Sequence, residues 1–171
     1  MIILGIDPGL ATVGYGVIEY EKGKFRTIAT GAIETPAGID VELRLKTVYD
    51  DMCELIDTYH PAEMAVEELF FNTNQKTAIG VAEARGVILL AAVRKGVTIA
   101  EYTPLQVKQS VVGYGRAEKK QVQEMVKIIL NIPKVPKPDD AADALALAIC
   151  HAHCGGSSIK EFYNGKKKKL I

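Results

Sequence analysis

Residues 2–9 read IILGIDPG, an apolar, isoleucine-rich run that ends in an aspartate and a Pro-Gly turn. This composition predicts a central strand, and the turn after it lets the backbone approach a phosphate. An Asp-x-Gly turn after a first strand also opens the phosphate-binding loop of actin-like and sugar-kinase ATPases, so Asp7 alone does not separate a nuclease from a nucleotide binder. Those ATPases close two lobes around a nucleotide, and a chain of 171 residues has no obvious second lobe.

The pattern that follows predicts a sheet covered by helices. Further strands are predicted over residues 14–20, 25–34, 62–67 and 97–102, and helices over residues 41–59, 75–95, 104–112, 117–131 and 139–154. The first three strands form a meander, and the later strands alternate with helices. This order predicts an α/β fold, a mixed five-stranded sheet flanked by helices.

The composition predicts one globular domain. With 48% hydrophobic residues the chain can bury a single core, which we place in residues 1–155. Residues 156–171 contain the run KKKK at 166–169 and are predicted to be a basic, disordered tail. The three cysteines lack the spacing of a disulfide framework, and neither a membrane span nor a signal peptide is indicated. We therefore expect reduced thiols and a cytoplasmic location.

The net charge of zero hides an uneven distribution. Residues 1–70 hold 5 basic and 13 acidic side chains, whereas residues 71–138 hold 11 basic and 4 acidic ones, a local excess of 11 − 4 = 7 positive charges. Phosphate binding depends on local Lys and Arg, so nucleic acid is not excluded as a partner. A solvated basic surface would explain the charge equally well.

Four carboxylates lie in three separated places: Asp7 after the first strand, Glu67 at the end of a later one, and Asp140 with Asp143 at the start of the last helix. Two divalent ions about 3.5–4 Å apart need such an oxygen-rich set to clamp a phosphodiester and activate water. This favours a metal-dependent nuclease. By spacing alone, Asp139 could replace Asp140, and strand alternation allows only one residue of the pair Glu67 and Glu68 to face the site.

Several of these segments together resemble one family. They are GIDPG at 5–9, GYGV at 14–17, VE at 66–67, QVKQ at 106–109 with VVG at 111–113, and DAADALA at 140–146. In this order they are similar to the RuvC family of crossover junction endodeoxyribonucleases, over residues 2–153. The resemblance implies an RNase H-like fold and a homodimer that resolves four-way (Holliday) DNA junctions by paired symmetric nicks in recombination and repair. It also implies the branch-migration proteins RuvA and RuvB as partners.

The resemblance also implies the site residues. The family's catalytic and metal-binding acids fall on Asp7, Glu67, Asp140 and Asp143, which resolves both ambiguities. Some members have His at the position of Asp140; a carboxylate there keeps an all-oxygen shell, which suits two Mg²⁺ ions with Mn²⁺ as a substitute. Our hypothesis is that Asp7 bridges both ions and that an activated water attacks in line, leaving 5′-phosphate and 3′-hydroxyl ends.

DNA contacts are expected from one aromatic residue and four cations. Phe70 and Phe71 precede a polar stretch, where core capping is the simpler explanation, but Phe70 matches the family's aromatic near the cleavage point. Lys108 and Lys119 match basic positions near the scissile phosphate. Arg116 and Lys120 lie near the Gly-rich segment at residues 113–115, as Lys108 and Lys119 do, and are expected to contact phosphate as well.

The predicted helix over residues 75–95 is apolar on more than one face. One face should cover the sheet. The second is either buried under other helices or forms a two-fold interface, and the resemblance favours the interface.

A cluster near the end of the last helix superficially suggests zinc. It contains Cys150, His151, His153 and Cys154. The compact helical spacing lacks the usual paired-loop pattern of a structural zinc site, so we interpret these as packing and helix-end residues.

Two alternative functions remain open. A different RNase H-like nuclease acting on RNA or an RNA–DNA hybrid would share the acids but would not require a junction. A non-catalytic junction-binding protein would use the basic region and Phe70 without cutting DNA.

Overall fold

The structure, a computed structural model, describes residues 1–68 and 75–155, and for residues 75–77 it describes the backbone alone. The strands are β1 (Ile2–Asp7), β2 (Thr12–Glu21), β3 (Lys24–Glu34), β4 (Glu63–Glu67) and β5 (Thr98–Tyr102). The helices are α1 (Val41–Tyr59), α2 (Gln75–Arg94), α3 (Pro104–Val112), α4 (Lys119–Ile129) and α5 (Asp139–Cys154). None of the helices in this described part combines the length and apolarity needed to cross a membrane. The expected basic tail from residue 156 lies outside the described residues.

The strands form one mixed sheet in the order β3-β2-β1-β4-β5. The first three strands pair antiparallel as a meander, while β4 runs parallel to both β1 and β5. The fold-class prediction, an RNase H-like five-stranded sheet flanked by helices, is therefore confirmed. The parallel pairing places the carboxyl ends of β1, β4 and β5 at one edge of the sheet.

Alternation along the strands builds two cores on the two faces of the sheet. On β1, Ile3 packs into the core formed with α3, α4 and α5, whereas Leu4 and Ile6 pack into the core formed with α1 and α2. On β4, Ala65 likewise faces the first group of helices and Val66 the second. Because side chains alternate, Asp7 and Glu67 belong to the face that α5 covers.

α5 lies unusually close to the sheet because three strand residues on this face are glycines. A Cβ on Gly5 would stand 1.9 Å from the carbonyl oxygen of Ala144, and a Cβ on Gly14 would stand 2.1 Å from that of Asp140. At Gly16, which pairs with Gly5 across β1 and β2, it would meet the side chain of Leu145 at 2.7 Å. The alanines of α5 complete this contact, since α5 is buried from Ala144 to Ala152. The helix backbone therefore packs directly on the strand backbones.

We predict that Gly5→Ala destabilises the protein by about 3 kcal/mol or more, because its new methyl group would overlap backbone atoms of α5 that no rotamer change can move. The free energy of unfolding by urea, at one fixed protomer concentration, measures this. The control for loss of a glycine is Gly23→Ala in the turn between β2 and β3, where a Cβ would also meet nothing within 4 Å. Because its φ is +81°, this control should cost about 1 kcal/mol, well below the cost of Gly5→Ala. Equal stabilities for the two variants would contradict the close packing of α5.

Candidate active site

Two of the four predicted acids come from neighbouring strand ends. Asp7 ends β1 and Glu67 ends β4, and the register pairs Ile6 with Val66 directly before them. Both side chains point to the face covered by α5. Glu68 lies one residue later and is exposed, so the alternation favours Glu67 over Glu68.

The other two acids come from the start of α5. Asp143 lies one turn inside the helix and lines the same cleft as Asp7 and Glu67. Asp140 lies in the first turn, its backbone is held against Gly14 on β2, and its charge acts on Asp7. Asp139, the alternative allowed by spacing, pairs instead with Lys137 at 2.6 Å, and its side chain is about half exposed.

The side chains of Asp7, Glu67 and Asp143 line a cleft of about 280 Å³. Among the described residues that line it, Lys108 from α3 and Lys119 from α4 are the cations, facing the acids Asp7, Glu67 and Asp143. The remaining lining residues are apolar and come from α3, α4 and α5: Pro104, Val107, Val122, Ala146 and Leu147. The cleft thus brings acidic, cationic and apolar side chains together.

Asp7 is the most perturbed carboxyl of the site. Its pKa rises from 3.8 to about 8, first because burial penalises the charged form and then because Glu67, Asp143 and Asp140 repel its charge. Lys119 opposes this shift in part. Because the ionised carboxylates repel one another, a cation bound among them would be stabilised electrostatically.

Lys119 supplies one positive charge to this acid cluster. Its Nζ lies 2.7 Å from an Oδ atom of Asp143. Burial and neighbouring acids raise the pKa of Asp143 and of Glu67, while Lys119 lowers both. Burial lowers the pKa of Lys119. The hydrogen bond and charge interaction with Asp143 outweigh this effect, so the pKa of Lys119 is raised overall. Lys119 and Asp143 thus form an ion pair inside the acid cluster.

The chemistry of the donor set fits a hard divalent cation such as Mg²⁺, because all candidate ligands are carboxylate oxygens. In the side-chain conformations of the structure, no group of three or more Asp, Glu, His or Cys among the described residues is arranged to hold an ion. Lys119 occupies Asp143 in these conformations. On metal binding, Asp143 would exchange this ammonium partner for the ion.

The remaining predicted DNA-binding residues have different positions. Arg116 and Lys120 are exposed on either side of the start of α4, close in sequence to Lys119 but not among the residues that line the cleft. Phe70 and its alternative Phe71 lie outside the described residues, so the role proposed for Phe70 stays a prediction.

The cysteine–histidine group at the end of α5 makes other contacts. His151 is buried, with Nδ1 2.7 Å from the hydroxyl of Tyr102 and Nε2 2.5 Å from a carboxylate oxygen of Glu63. His153 lies 3.2 Å from the hydroxyl of Ser110. The three cysteines, including Cys150 and Cys154, are free thiols. These contacts join α5 to β4, β5 and α3, as the packing interpretation of these residues requires.

One residue near the site was missed by the sequence reasoning. Arg85 on α2 donates from Nε to the backbone carbonyl oxygen of Glu67, at 3.2 Å. The available signal was an arginine between alanine and glycine, near the middle of a largely apolar helix. Such a residue has to find a polar partner when the helix packs on a sheet.

Comparison with known proteins identifies similar chains. A family model described as crossover junction endodeoxyribonuclease RuvC matches residues 3–151. The crossover junction endodeoxyribonuclease RuvC of Caldanaerobacter subterraneus is 60% identical over 153 residues, which cover 90% of this chain and 93% of that protein.

Solved structures agree. The Thermus thermophilus RuvC structure superimposes with a TM-score of 0.84 at 36% identity, covering 90% of this chain and 94% of that one. A second structure, T. thermophilus RuvC in complex with Holliday junction substrate, gives a TM-score of 0.85 at 35% identity, with the same coverage of both chains.

We predict that the stability of the metal-free protein falls as pH rises from about 4 to about 8 through the ionisation of Asp7. The folded-state pKa lies above that of the unfolded chain, so the folded protein keeps this proton longer and loses stability as the proton leaves. Asp7→Asn removes the loss. In EDTA at pH 8 this variant should therefore unfold at a higher temperature than the parent protein, with a smaller difference between pH 5 and pH 8.

Thermal unfolding in EDTA at both pH values checks this. Asp139→Asn, which changes an exposed carboxyl, is the control and should keep the parent pH dependence. The same pH dependence in Asp7→Asn as in the parent would contradict the raised pKa of Asp7.

Proposed function

This chain belongs to the RuvC family of crossover junction endodeoxyribonucleases, and we propose that it resolves four-way (Holliday) DNA junctions by paired symmetric nicks. Its reaction is the hydrolysis of DNA phosphodiester bonds. The observation that carries the proposal is one cleft in which Asp7, Glu67 and Asp143 face Lys108 and Lys119. The acids suit metal-assisted hydrolysis and the lysines suit phosphate. A DNA substrate also agrees with the cytoplasmic location expected from the sequence.

Asp7, Glu67, Asp140 and Asp143 would hold two Mg²⁺ ions, with Mn²⁺ as a substitute. Bound there, the ions would activate the attacking water and stabilise charge on the phosphate, giving 5′-phosphate and 3′-hydroxyl ends. Asp7 is central in this proposal because all three other acids act on its charge. Its raised pKa means that ion binding and loss of its proton are coupled, so ion affinity should increase with pH.

The two lysines of the cleft would have different roles. Lys108 lies on α3 and would contact the DNA backbone beside the scissile phosphate. Lys119 is already paired with Asp143, so an incoming ion would release its ammonium to the phosphate, where it can stabilise developing charge. Arg116 and Lys120, exposed on either side of the start of α4, would extend this contact along the backbone, and Phe70 would stack on an unpaired base.

Two alternatives are separated by substrate. A nuclease for RNA–DNA hybrid would cut a hybrid duplex as well as a junction, and a non-catalytic binder would hold a junction without cutting it. The test uses end-labelled four-way junction, matched linear duplex and hybrid, each with Mg²⁺ and with EDTA. Metal-dependent, symmetric nicks restricted to the junction are expected. Hybrid-only cleavage, or junction binding with no cleavage, would contradict the proposal.

Paired nicks need two active sites, which we propose are supplied by a homodimer. α2 buries Ala84 and Ile88 against the sheet but exposes an apolar stripe on its other side. Ile79, Leu90 and Val93 of this stripe are 68%, 52% and 65% exposed. Their helical spacing places them on one face, suitable for a two-fold contact with the same helix of a second copy. Junctions produced with the branch-migration proteins RuvA and RuvB would then be cut on both opposing strands.

We predict that Asp7→Asn lowers junction cleavage in Mg²⁺ by about 10³-fold or more, because the site loses its most central carboxylate. Junction affinity, measured by gel shift in Ca²⁺ or EDTA, should remain within about threefold, because the phosphate-binding lysines are untouched. Asp139→Asn is the matched control and should cleave nearly as well as the parent. Full cleavage by Asp7→Asn, with contaminating nuclease excluded, would contradict the assignment of the acids.

We predict that Leu90→Glu weakens self-association at least about tenfold, because a charge would replace an apolar side chain in the interface. Sedimentation measures this directly. Leu43→Glu on α1 is the control, since Leu43 is equally exposed at 52% but lies off the stripe, and it should leave association unchanged. On a plasmid cruciform, Leu90→Glu should yield nicked circles in place of linear product. A dimer of parent strength in Leu90→Glu would place the interface elsewhere.

A further inference from the structure

Arg85 is a cation in the apolar run of α2, and its side chain is only 14% exposed. It makes two contacts toward the sheet. Nε donates a hydrogen bond to the backbone carbonyl oxygen of Glu67 at 3.2 Å, and an Nη atom pairs with the carboxylate of Glu101. The planar guanidinium presents these donors in a fixed fork, so one side chain serves both partners.

These contacts meet where the sheet ends. Glu67 is the last residue of β4, and Glu101 on β5 pairs with Val66 directly before it. Beyond Glu67 the strand pairing continues by one hydrogen bond, from the N–H of Glu68 to the carbonyl oxygen of Tyr102 at 2.9 Å. Arg85 therefore holds the final peptide group of β4 from the side opposite to α5.

The carbonyl that Arg85 binds belongs to the residue whose carboxylate lines the cleft. The direction of this carbonyl is set by the ψ angle of Glu67, and ψ also sets the course of the chain after the strand. Holding the carbonyl restricts the backbone from which the carboxylate projects. Small displacements of such a group are costly, since about 1 Å can reduce a rate by about 10²-fold.

We propose that Arg85 is a positioning residue that orients Glu67 for metal binding by fixing its backbone carbonyl. The inference rests on the proposed function, in which Glu67 is a metal ligand. Arg85 itself touches neither DNA nor ion. Residues that orient metal ligands in this way typically contribute about 10- to 100-fold in metal affinity or activity.

The test compares Arg85→Met and Arg85→Lys with the parent in two measurements. Mn²⁺ binding to the DNA-free protein, followed by calorimetry, should weaken about tenfold in both variants. Junction cleavage should show a lower kcat at limiting Mg²⁺ that is partly restored at high Mg²⁺, with junction affinity in Ca²⁺ unchanged. Arg85→Lys keeps a cation near Glu101 but loses the forked donor geometry, so it remains informative if Arg85→Met does not fold.

Two further variants separate positioning from general effects on α2. Lys95→Met removes the ion pair, at 2.5 Å, between the residue directly after α2 and Asp57 of α1, and should leave Mn²⁺ binding unchanged. Glu101→Gln removes the ion pair of Arg85 but keeps the bond to Glu67, and should retain most of the Mn²⁺ affinity. Parent-like Mn²⁺ binding in the Arg85 variants, or an equal loss in either control, would overturn the proposal.

The proposed function and the positioning role can fail separately. If the parent protein leaves junctions intact in Mg²⁺, the resolvase proposal is wrong. The Mn²⁺ titrations need no DNA, so a selective loss of affinity in the Arg85 variants would still support the role of Arg85.

Discussion

The close approach of α5 to the strand backbones is the constraint on which the site depends. Gly5, Gly14 and Gly16 remove the side chains that would keep the helix at the usual distance from a sheet, and alanines on α5 complete the contact. Three consequences follow. The first turn of α5 lies against β2, Asp140 and Asp143 come within electrostatic range of Asp7, and alanines of α5 enter the core on this face. A larger residue in this contact would displace two acids at once.

That same contact imposes an electrostatic cost on the folded protein. Four carboxyl groups are concentrated in a partly buried site, so the pKa of Asp7 rises to about 8. The ion pair between Lys119 and Asp143 offsets part of the repulsion. What remains favours cations over water in the cleft, since a bound divalent ion would stabilise the ionised acids. The feature that makes the metal-free protein sensitive to pH is thus the feature that would give it affinity for metal.

Much of the fold follows from local patterns, because alternation and helical periodicity set the strands and helices. The bounds of α1 and α5 agree with prediction. Helix α4 is shorter than the predicted 117–131: a capping box starts it at Lys119, and it ends at Ile129. Spacing alone did not decide whether Glu67 or Glu68 faces the site. In the structure Glu67 lines the cleft and Glu68 is exposed. Arg85 was missed for a different reason. Its partner is a backbone carbonyl 18 positions away, and no side-chain pattern encodes that contact.

The uneven distribution of charge along the sequence has a structural counterpart in the cleft. Asp7 and Glu67 come from the acidic first part of the sequence, and Lys108 and Lys119 come from the basic middle. Folding brings these opposite charges into one cleft, so the net charge of zero hides a local separation of charge. The acids of the cleft would bind the cation that neutralises them, and its lysines would attract the DNA backbone. A neutral protein can therefore bind a polyanion, provided that its charges are separated locally.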